Sequence, residues 1–356
     1  MKPLGAKVQG RSGVGATPAD ERRRAVTHLR VDVDGDGQRL DNHLVRVLKG
    51  VPRAWIWRSI RTGEVRLNGH RVAVHARLSP GDDIRVPPVR RPDRGPAAGA
   101  GGGAASRPLE DCTVVQEDPA WLVLDKPAGL AVHGGSGVAA GLIERLRASR
   151  PEDRFLELAH RLDRETSGLI VVARSRPALL SLHRQFVGGG PAKHYRALVA
   201  GRWSRARALL QFPLERVSAP DGDRRVRVVA GAAPAATEVT LLEVRPGDPG
   251  RGQPAWFSLL DCRLLTGRTH QIRVHLSHAG FPIIGDPKYG DFALNKLLQK
   301  QGFNRMFLHA FSISLSHPID GRRCRFEAPL PAIFERLGSS PTGQPAAAVA
   351  AEATRP

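Results

Sequence analysis

The stretch RPDRGPAAGAGGGAASRPL, residues 91–109, constrains this chain more than any other feature. Gly and Ala bring little apolar surface to bury, and Pro removes backbone donors, so such a run builds neither a core nor a sheet. The 356 residues therefore divide into two folding units joined by a flexible linker. By random-coil scaling its ends lie roughly 25 Å apart. The units are residues 38–90 and 110–336. Residues 1–27 are polar and aperiodic and read as a disordered basic arm. Residues 337–356 are low-complexity and read as a disordered tail.

In the small unit, Leu40, Leu44 and Leu48 recur every four residues and predict a helix with one apolar face. Pro52 opens a second helix that buries Ile56 and Ile60 and ends at Gly63. VRLNGHRV reads as two strands joined by an Asn68-Gly69 turn, and LSPGDDIRVP as a further turn and strand. In the large unit, WLVLDKPAGLAVH, LELAHRLD, LIVVARS, KHYRALVAG, TEVTLLEV, WFSLLDCRLL and FLHAFSISLSH have strand character. In the last, Phe307, His309, Phe311, Ile313 and Leu315 share one face. PALLSLHRQFV and THQIRVHLSHAG read as helices. Many strands with few helices predict an α+β domain on a mixed, mostly antiparallel sheet.

Charge narrows the partners. The formal net charge is +20, and of 54 basic residues 46 are Arg, whose forked donors match phosphate oxygens and whose planes stack on bases. A polyanion, nucleic acid above all, is the economical partner, although biased coding would also raise Arg, Ala, Gly and Pro together. Position speaks for the first. Residues 39–94 hold 13 Lys and Arg against 5 Asp and Glu. Arg53, Arg58, Arg61 and Arg66 run along the second helix into the hairpin, with Trp55 and Trp57 between them, a pattern suited to phosphates and unstacked bases. No apolar run approaches the length of a membrane helix, and the N-terminal residues contain no apolar block of a secretory signal. Three cysteines, Cys112, Cys262 and Cys324, make neither a disulfide framework nor a zinc ribbon. A reducing cytoplasm is the expected compartment.

Three segments could carry chemistry. In HRLDRETSG, a strand runs into His160-Arg161-Leu162-Asp163 and a polar turn ends at Gly168, so Asp163 is either a nucleophile or charge stabiliser held over a cleft, or an Asx-turn carboxylate. In LLTGRTHQIRVHLSHAGFPIIGDPKYGD, Arg268 and Arg273 fall at a helix start, where backbone N–H groups favour anions. His270, His275 and His278 invite a metal reading. However, His270 lies off the face shared by the other two, and no acid completes a ligand set, so no metal is expected. In KHYRALVAG, Tyr195 is either a stacking phenol or a core residue. No phosphate-binding glycine motif occurs.

HRLDRETSGLIVVARS, KHYRALVAG and TGRTHQIRVHLSHAGFPIIGDPKYGD, in that order, resemble the three signature blocks of the RluA-type pseudouridine synthases, and Tyr195 follows Asp163 by the family's 32 residues. Residues 38–90, through RLDNHL, GEVRLNG and GDDIRVP, resemble the S4 RNA-binding domain. AVHGGSG at 131–137 and NRMFLHA at 304–310 are similar to the subgroup that modifies large-subunit ribosomal RNA.

The resemblance implies a pseudouridine synthase domain behind an S4-like domain, acting on 23S ribosomal RNA, free or in pre-50S particles, as a monomer without metal or cofactor. It makes Asp163 the essential aspartate. Tyr195 then stacks on the uracil and serves in the final proton removal, and Arg273 pairs with Asp163 and aims its carboxylate. Arg161 occupies the gap left by the flipped base, and Arg268 and His270 contact RNA. One carboxylate can stabilise charge developing at C1′. The detached uracil is itself the returning nucleophile, so no second acid is required. Flipping the base out costs a few kcal/mol.

Overall fold

The computed structural model describes residues 26–48, 50–89, 109, 112–134, 140–218 and 224–338. The expected basic arm, linker and tail lie outside these residues except at their margins, as does most of GGSG in AVHGGSG. The chain forms two compact units, Met1–Ala98 and Gly99–Pro356.

The first unit runs β1 (Thr27–Arg30), α1 (Leu40–Val47), α2 (Arg53–Arg61), β2 (Arg66–Leu67) and β3 (Asp83–Val86). Its antiparallel sheet has the order β1-β3-β2. Leu40, Leu44 and Leu48 from the first helix meet Ile56 and Ile60 from the second and Ile84 and Val86 from the sheet in one core. Each such buried side chain contributes about 1.5–3 kcal/mol.

One expectation here fails. VRLNGHRV is not a two-stranded hairpin. Asn68 and Gly69 do turn with positive φ, 50° and 79°, but only a single bridge, Leu67 to His70, follows. β2 takes its ladder from β3 instead, and the Asn68 side chain bonds Asp82 and the Asp83 N–H. On the expected second limb, Arg71 reaches back and donates to the Thr62 carbonyl at 2.9 Å.

The second unit is an α+β domain. It begins β4 (Thr113–Glu117), β5 (Trp121–Lys126), α3 (Leu142–Ser149), β6 (Glu157–Leu158), β7 (Ser167–Ala173), α4 (Arg176–Val187) and β8 (Ala192–Ala200). It continues β9 (Arg207–Gln211), β10 (Leu214–Ser218), β11 (Arg224–Val228), β12 (Ala236–Pro246) and β13 (Trp256–Leu264). It closes with α5 (Gln271–His278), α6 (Phe292–Lys300), β14 (Leu308–Ser316), β15 (Arg323–Glu327) and α7 (Ile333–Arg336). Ten strands make one sheet, β4-β5-β7-β14-β8-β13-β12-β9, with β15 on β14 and β6 on β7. Among the described residues only β7 and β14 pair in parallel. β10 and β11 form a separate hairpin whose Leu214 and Val226 pack on Val274 of α5.

The period of two decides the layers. On β5 and β7, Leu122, Leu124, Ile170 and Val172 enter one core cluster, while Trp121, Val123, Leu169 and Val171 enter another. The sheet centre is thus covered on both faces.

Three segments depart from the expected strands. WLVLDKPAGLAVH is strand only to Lys126, after which the chain turns. LELAHRLD is strand only at Glu157–Leu158, because the His160 ring takes the Val171 N–H at 3.1 Å and ends the ladder. In β14 a bulge between Ala310 and Ser312 breaks the expected common face. Phe307 joins one core cluster, and Ile313 and Leu315 the other.

Candidate active site

A cavity of about 630 Å³ opens on the second unit, lined by the loop 159–166, by Lys193 and Tyr195 of β8, by Arg216 of β10 and by residues 264–273. Asp163 stands on that loop, just before the buried strand β7. The loop is held from below. Lys126, fully buried at the end of β5, donates to the carbonyls of Pro127, Leu130 and Arg164 at 2.8, 2.9 and 3.1 Å. Burial draws its ammonium down to about 8. Gly129 N–H and the Arg164 side chain clasp the same turns together. The Thr166 N–H returns to the Asp163 carbonyl at 3.2 Å.

Arg273 projects from the first turn of α5. Its Nη1 donates to Asp163 Oδ2 at 3.0 Å. Its Nε and Nη2 donate to the two oxygens of Asp286 at 2.7 and 2.8 Å. Asp286 also accepts the N–H groups of Lys288 and Tyr289. Burial alone would raise the Asp286 pKa; the bonds and charge of Arg273 and the two N–H groups outweigh it and hold the carboxyl below its ordinary value. The Tyr289 ring lies 5.1 Å from the guanidinium, and its hydroxyl meets His270 Nδ1 at 2.8 Å. His270 Nε2 is 3.8 Å from Asp163 Oδ2. Among the described residues nothing hydrogen-bonds Asp163 Oδ1.

Tyr195 is 8% exposed and sits in the main core cluster with its ring on the cavity wall. Burial, and then the charge of Asp163, push its phenol up, so it is a neutral hydroxyl. Arg161 and Arg268 are exposed on the cavity lining. Arg268 precedes α5 rather than starting it, and its N–H is taken by Gln271 Oε1 at 3.0 Å. With Lys193 and Arg216 they make a basic rim around one central carboxylate, a geometry that draws a polyanion toward Asp163.

The remaining predicted residues separate. His275 is fully buried and bonds the Phe212 carbonyl, and His278 packs against the Phe212 ring, so neither joins His270. Among the described residues no group of three His, Cys, Asp or Glu side chains could hold a metal ion. In the first unit Arg53, Arg58, Arg61 and Arg66 are all exposed, but Arg53 is engaged by Asn42 at 3.1 Å, by Asp41 at 3.7 Å and by the Trp57 ring. Trp57 is exposed, whereas Trp55 packs on the core.

Sequence reasoning missed the roles of Lys126, Asp286 and Tyr289. One of these, Tyr289, had a faint signal. The chain has only two tyrosines, and one lines the cavity while the other lies against Arg273.

Residues 120–278 match the family described as RNA pseudouridylate synthase. The chain is 42% identical over 320 residues to ribosomal large subunit pseudouridine synthase C of Haemophilus influenzae, covering 89% of this chain and 96% of that protein. It is 44% identical over 308 residues to the protein of the same name from Escherichia coli strain K12, covering 86% and 93%. Among solved structures, human RNA pseudouridylate synthase domain containing 1 superposes with a TM-score of 0.51 at 27% identity, covering 62% of this chain and 84% of that one. No helix among the described residues is long and apolar enough to cross a membrane.

Proposed function

The chain belongs to the RNA pseudouridylate synthase family, and from that premise we propose that it isomerises specific uridines of 23S ribosomal RNA to pseudouridine, with Asp163 as the essential side chain. The names of two relatives that align over nearly their whole lengths support the substrate. The contact that carries the site assignment is the 3.0 Å bond from Arg273 to Asp163 Oδ2. It engages one carboxylate oxygen and leaves the other without a hydrogen-bond partner among the described residues, on a side chain that lines the cavity.

The reaction breaks N1–C1′, turns the uracil and forms C5–C1′. One proton leaves C5 and one reaches N1, so the balance needs no co-reactant. The free oxygen of Asp163 meets the positive charge that develops at C1′. Tyr195, as a neutral phenol on the wall, stacks on the everted uracil. Arg161 fills the space the base vacates, and Arg268, exposed on the cavity lining, is a further RNA contact, whereas His270, expected from the sequence to be another, faces Asp163 and Tyr289 instead. The first unit serves as an S4-like RNA-binding domain through Arg53, Arg58, Arg61 and Arg66. The enzyme works as a monomer in the cytoplasm, on free RNA or pre-50S particles.

Purified Asp163→Asn protein, given a large-subunit RNA transcript, is expected to form no pseudouridine while still binding the RNA. Wild-type product formation by that variant would overturn the assignment. Release of free uracil by the wild-type protein would point instead to a hydrolase.

A further inference from the structure

We infer that His270 is a positioning residue for Asp163, a neutral imidazole locked with its proton on Nε2 and aimed at Oδ2, and not a phosphate contact. This rests on the assignment of Asp163 as the essential carboxylate and adds a member to that site.

The first observation is backbone strain. His270 has φ 53° and ψ 18°, one of two positive-φ positions outside glycine among the described residues. The other, Asn68, sits in a tight turn. The left-handed conformation costs a residue with a side chain on the order of 1–2 kcal/mol, and it persists only where its surroundings hold it. Here the imidazole is held by Tyr289, with Nδ1 at 2.8 Å from the hydroxyl and the rings edge-to-face at 5.5 Å.

The second observation sets the tautomer. The Tyr289 oxygen already accepts the Val226 N–H at 2.9 Å. With that acceptor site engaged, the hydroxyl proton is assigned to His270 Nδ1, an assignment that puts the ring proton on Nε2. Nε2 is the atom that lies 3.8 Å from Asp163 Oδ2. Tyr289 is itself fixed, its N–H bonded to Asp286 and its carbonyl accepting Ser277 Oγ. The direction of the Nε2–H is therefore set by the fold.

The third observation is convergence. Arg273 and His270 both address Oδ2. A charged donor and a neutral dipole on the same oxygen restrict rotation of the carboxylate and keep Oδ1 toward the sugar. A neutral ring offers one N–H and no charge, and here that N–H is the one turned toward Asp163. Burial pushes the His270 pKa down; Asp163 pulls it up, Arg273 and Lys288 push it further down and Asp286 pulls it up, and the balance keeps the ring neutral.

The test uses the full chain and a large-subunit RNA transcript tritiated at uridine C5, with single-turnover tritium release at saturating RNA and filter binding as separate readouts. His270→Gly removes the imidazole at a backbone angle glycine adopts freely. It is expected to bind RNA as the wild type does and to release tritium roughly tenfold more slowly, or slower still. His270→Gln, which restores a neutral N–H, recovers part of that rate, and Tyr289→Phe, which frees the ring, loses part of it. A wild-type rate at saturating RNA, with or without weaker binding, overturns the inference, and so does a loss of rate that Gln fails to recover. Asp163→Asn runs alongside: tritium release by that variant would instead remove the premise.

Discussion

Arg273 and Asp286 are joined by two parallel hydrogen bonds, 2.7 and 2.8 Å long, with side chains only 4% and 1% exposed. The guanidinium has one nitrogen left over, and that nitrogen holds Asp163. Asp286 thus sets the place of a side chain 123 positions earlier without touching it. A lysine at 273 could not do this, because a single ammonium lacks the planar fork that serves two carboxylates at once.

Asp286→Asn is expected to weaken the folded state by about 1–3 kcal/mol, because the buried Arg273 loses one of its two carboxylates and keeps only Asp163. Urea denaturation at neutral pH measures it, and tritium release should fall as Arg273 loses its anchor. The pH dependence follows from the sign of the shift. The folded Asp286 carboxyl lies below its ordinary value, so its stabilisation is complete above the unfolded value and is lost as pH falls through the folded one. The gap between wild type and variant should therefore stay constant down to the ordinary carboxylate range and narrow only below it.

His309 acts in a different window. It is fully buried and bonds Ser167 Oγ at 2.8 Å, and Ser167 in turn accepts from Arg305 at 2.6 Å. That chain needs a neutral ring, and burial draws the His309 pKa down to about 4. The unfolded chain protonates first on acidification, so stability from this group is present above about 6.5 and is lost as pH falls from there to about 4, on the order of 3 kcal/mol in all. His309→Gln should flatten the stability curve across that window in urea denaturation. An unchanged slope would show that the ring does not titrate with folding.

Gly168 begins the exit from the Asp163 loop with φ 105°, and a Cβ there would collide with the backbone of Ala310 on the parallel neighbour β14. Gly168→Ala should therefore cost at least about 1–3 kcal/mol from the backbone conformation alone, and more from the collision. A lowered melting temperature together with lost tritium release is the expected result. A variant as stable as wild type would mean that β7 and β14 part easily.

In the first unit, Arg58 and Arg61 are exposed and make no side-chain bond to any described residue, whereas Arg53 is occupied by Asp41, Asn42 and Trp57. The double change Arg58→Ala with Arg61→Ala should lower the salt slope of RNA binding by roughly 1.4–1.8, the value for two phosphate contacts. Arg53→Ala should change it less. Equal slopes for all three proteins would mean that this helix does not touch phosphate.

Local patterns carried far in this chain. The leucine spacing at 40, 44 and 48, the Pro52 helix start and the apolar run of β7 all report short-range preferences, and each is found where those preferences place it. The errors share a cause. The expected limb after Gly69, the strand through His160 and the single face of FLHAFSISLSH each failed where a distant side chain or a bulge took over a backbone bond. Nothing in the local period encodes such a partner.

From the amino-acid order alone came the division into two units, the basic character, the α+β class and the three blocks that hold Asp163, Tyr195 and Arg273, because composition, periodicity and motif spacing are properties of neighbouring residues. Only the folded chain decided which oxygen of Asp163 is free, that Asp286 and Tyr289 stand behind Arg273 and His270, and that Lys126 braces the loop from beneath. Those contacts join segments far apart in sequence, and their geometry exists only once the sheet has brought β5, β7 and β8 together beside α5.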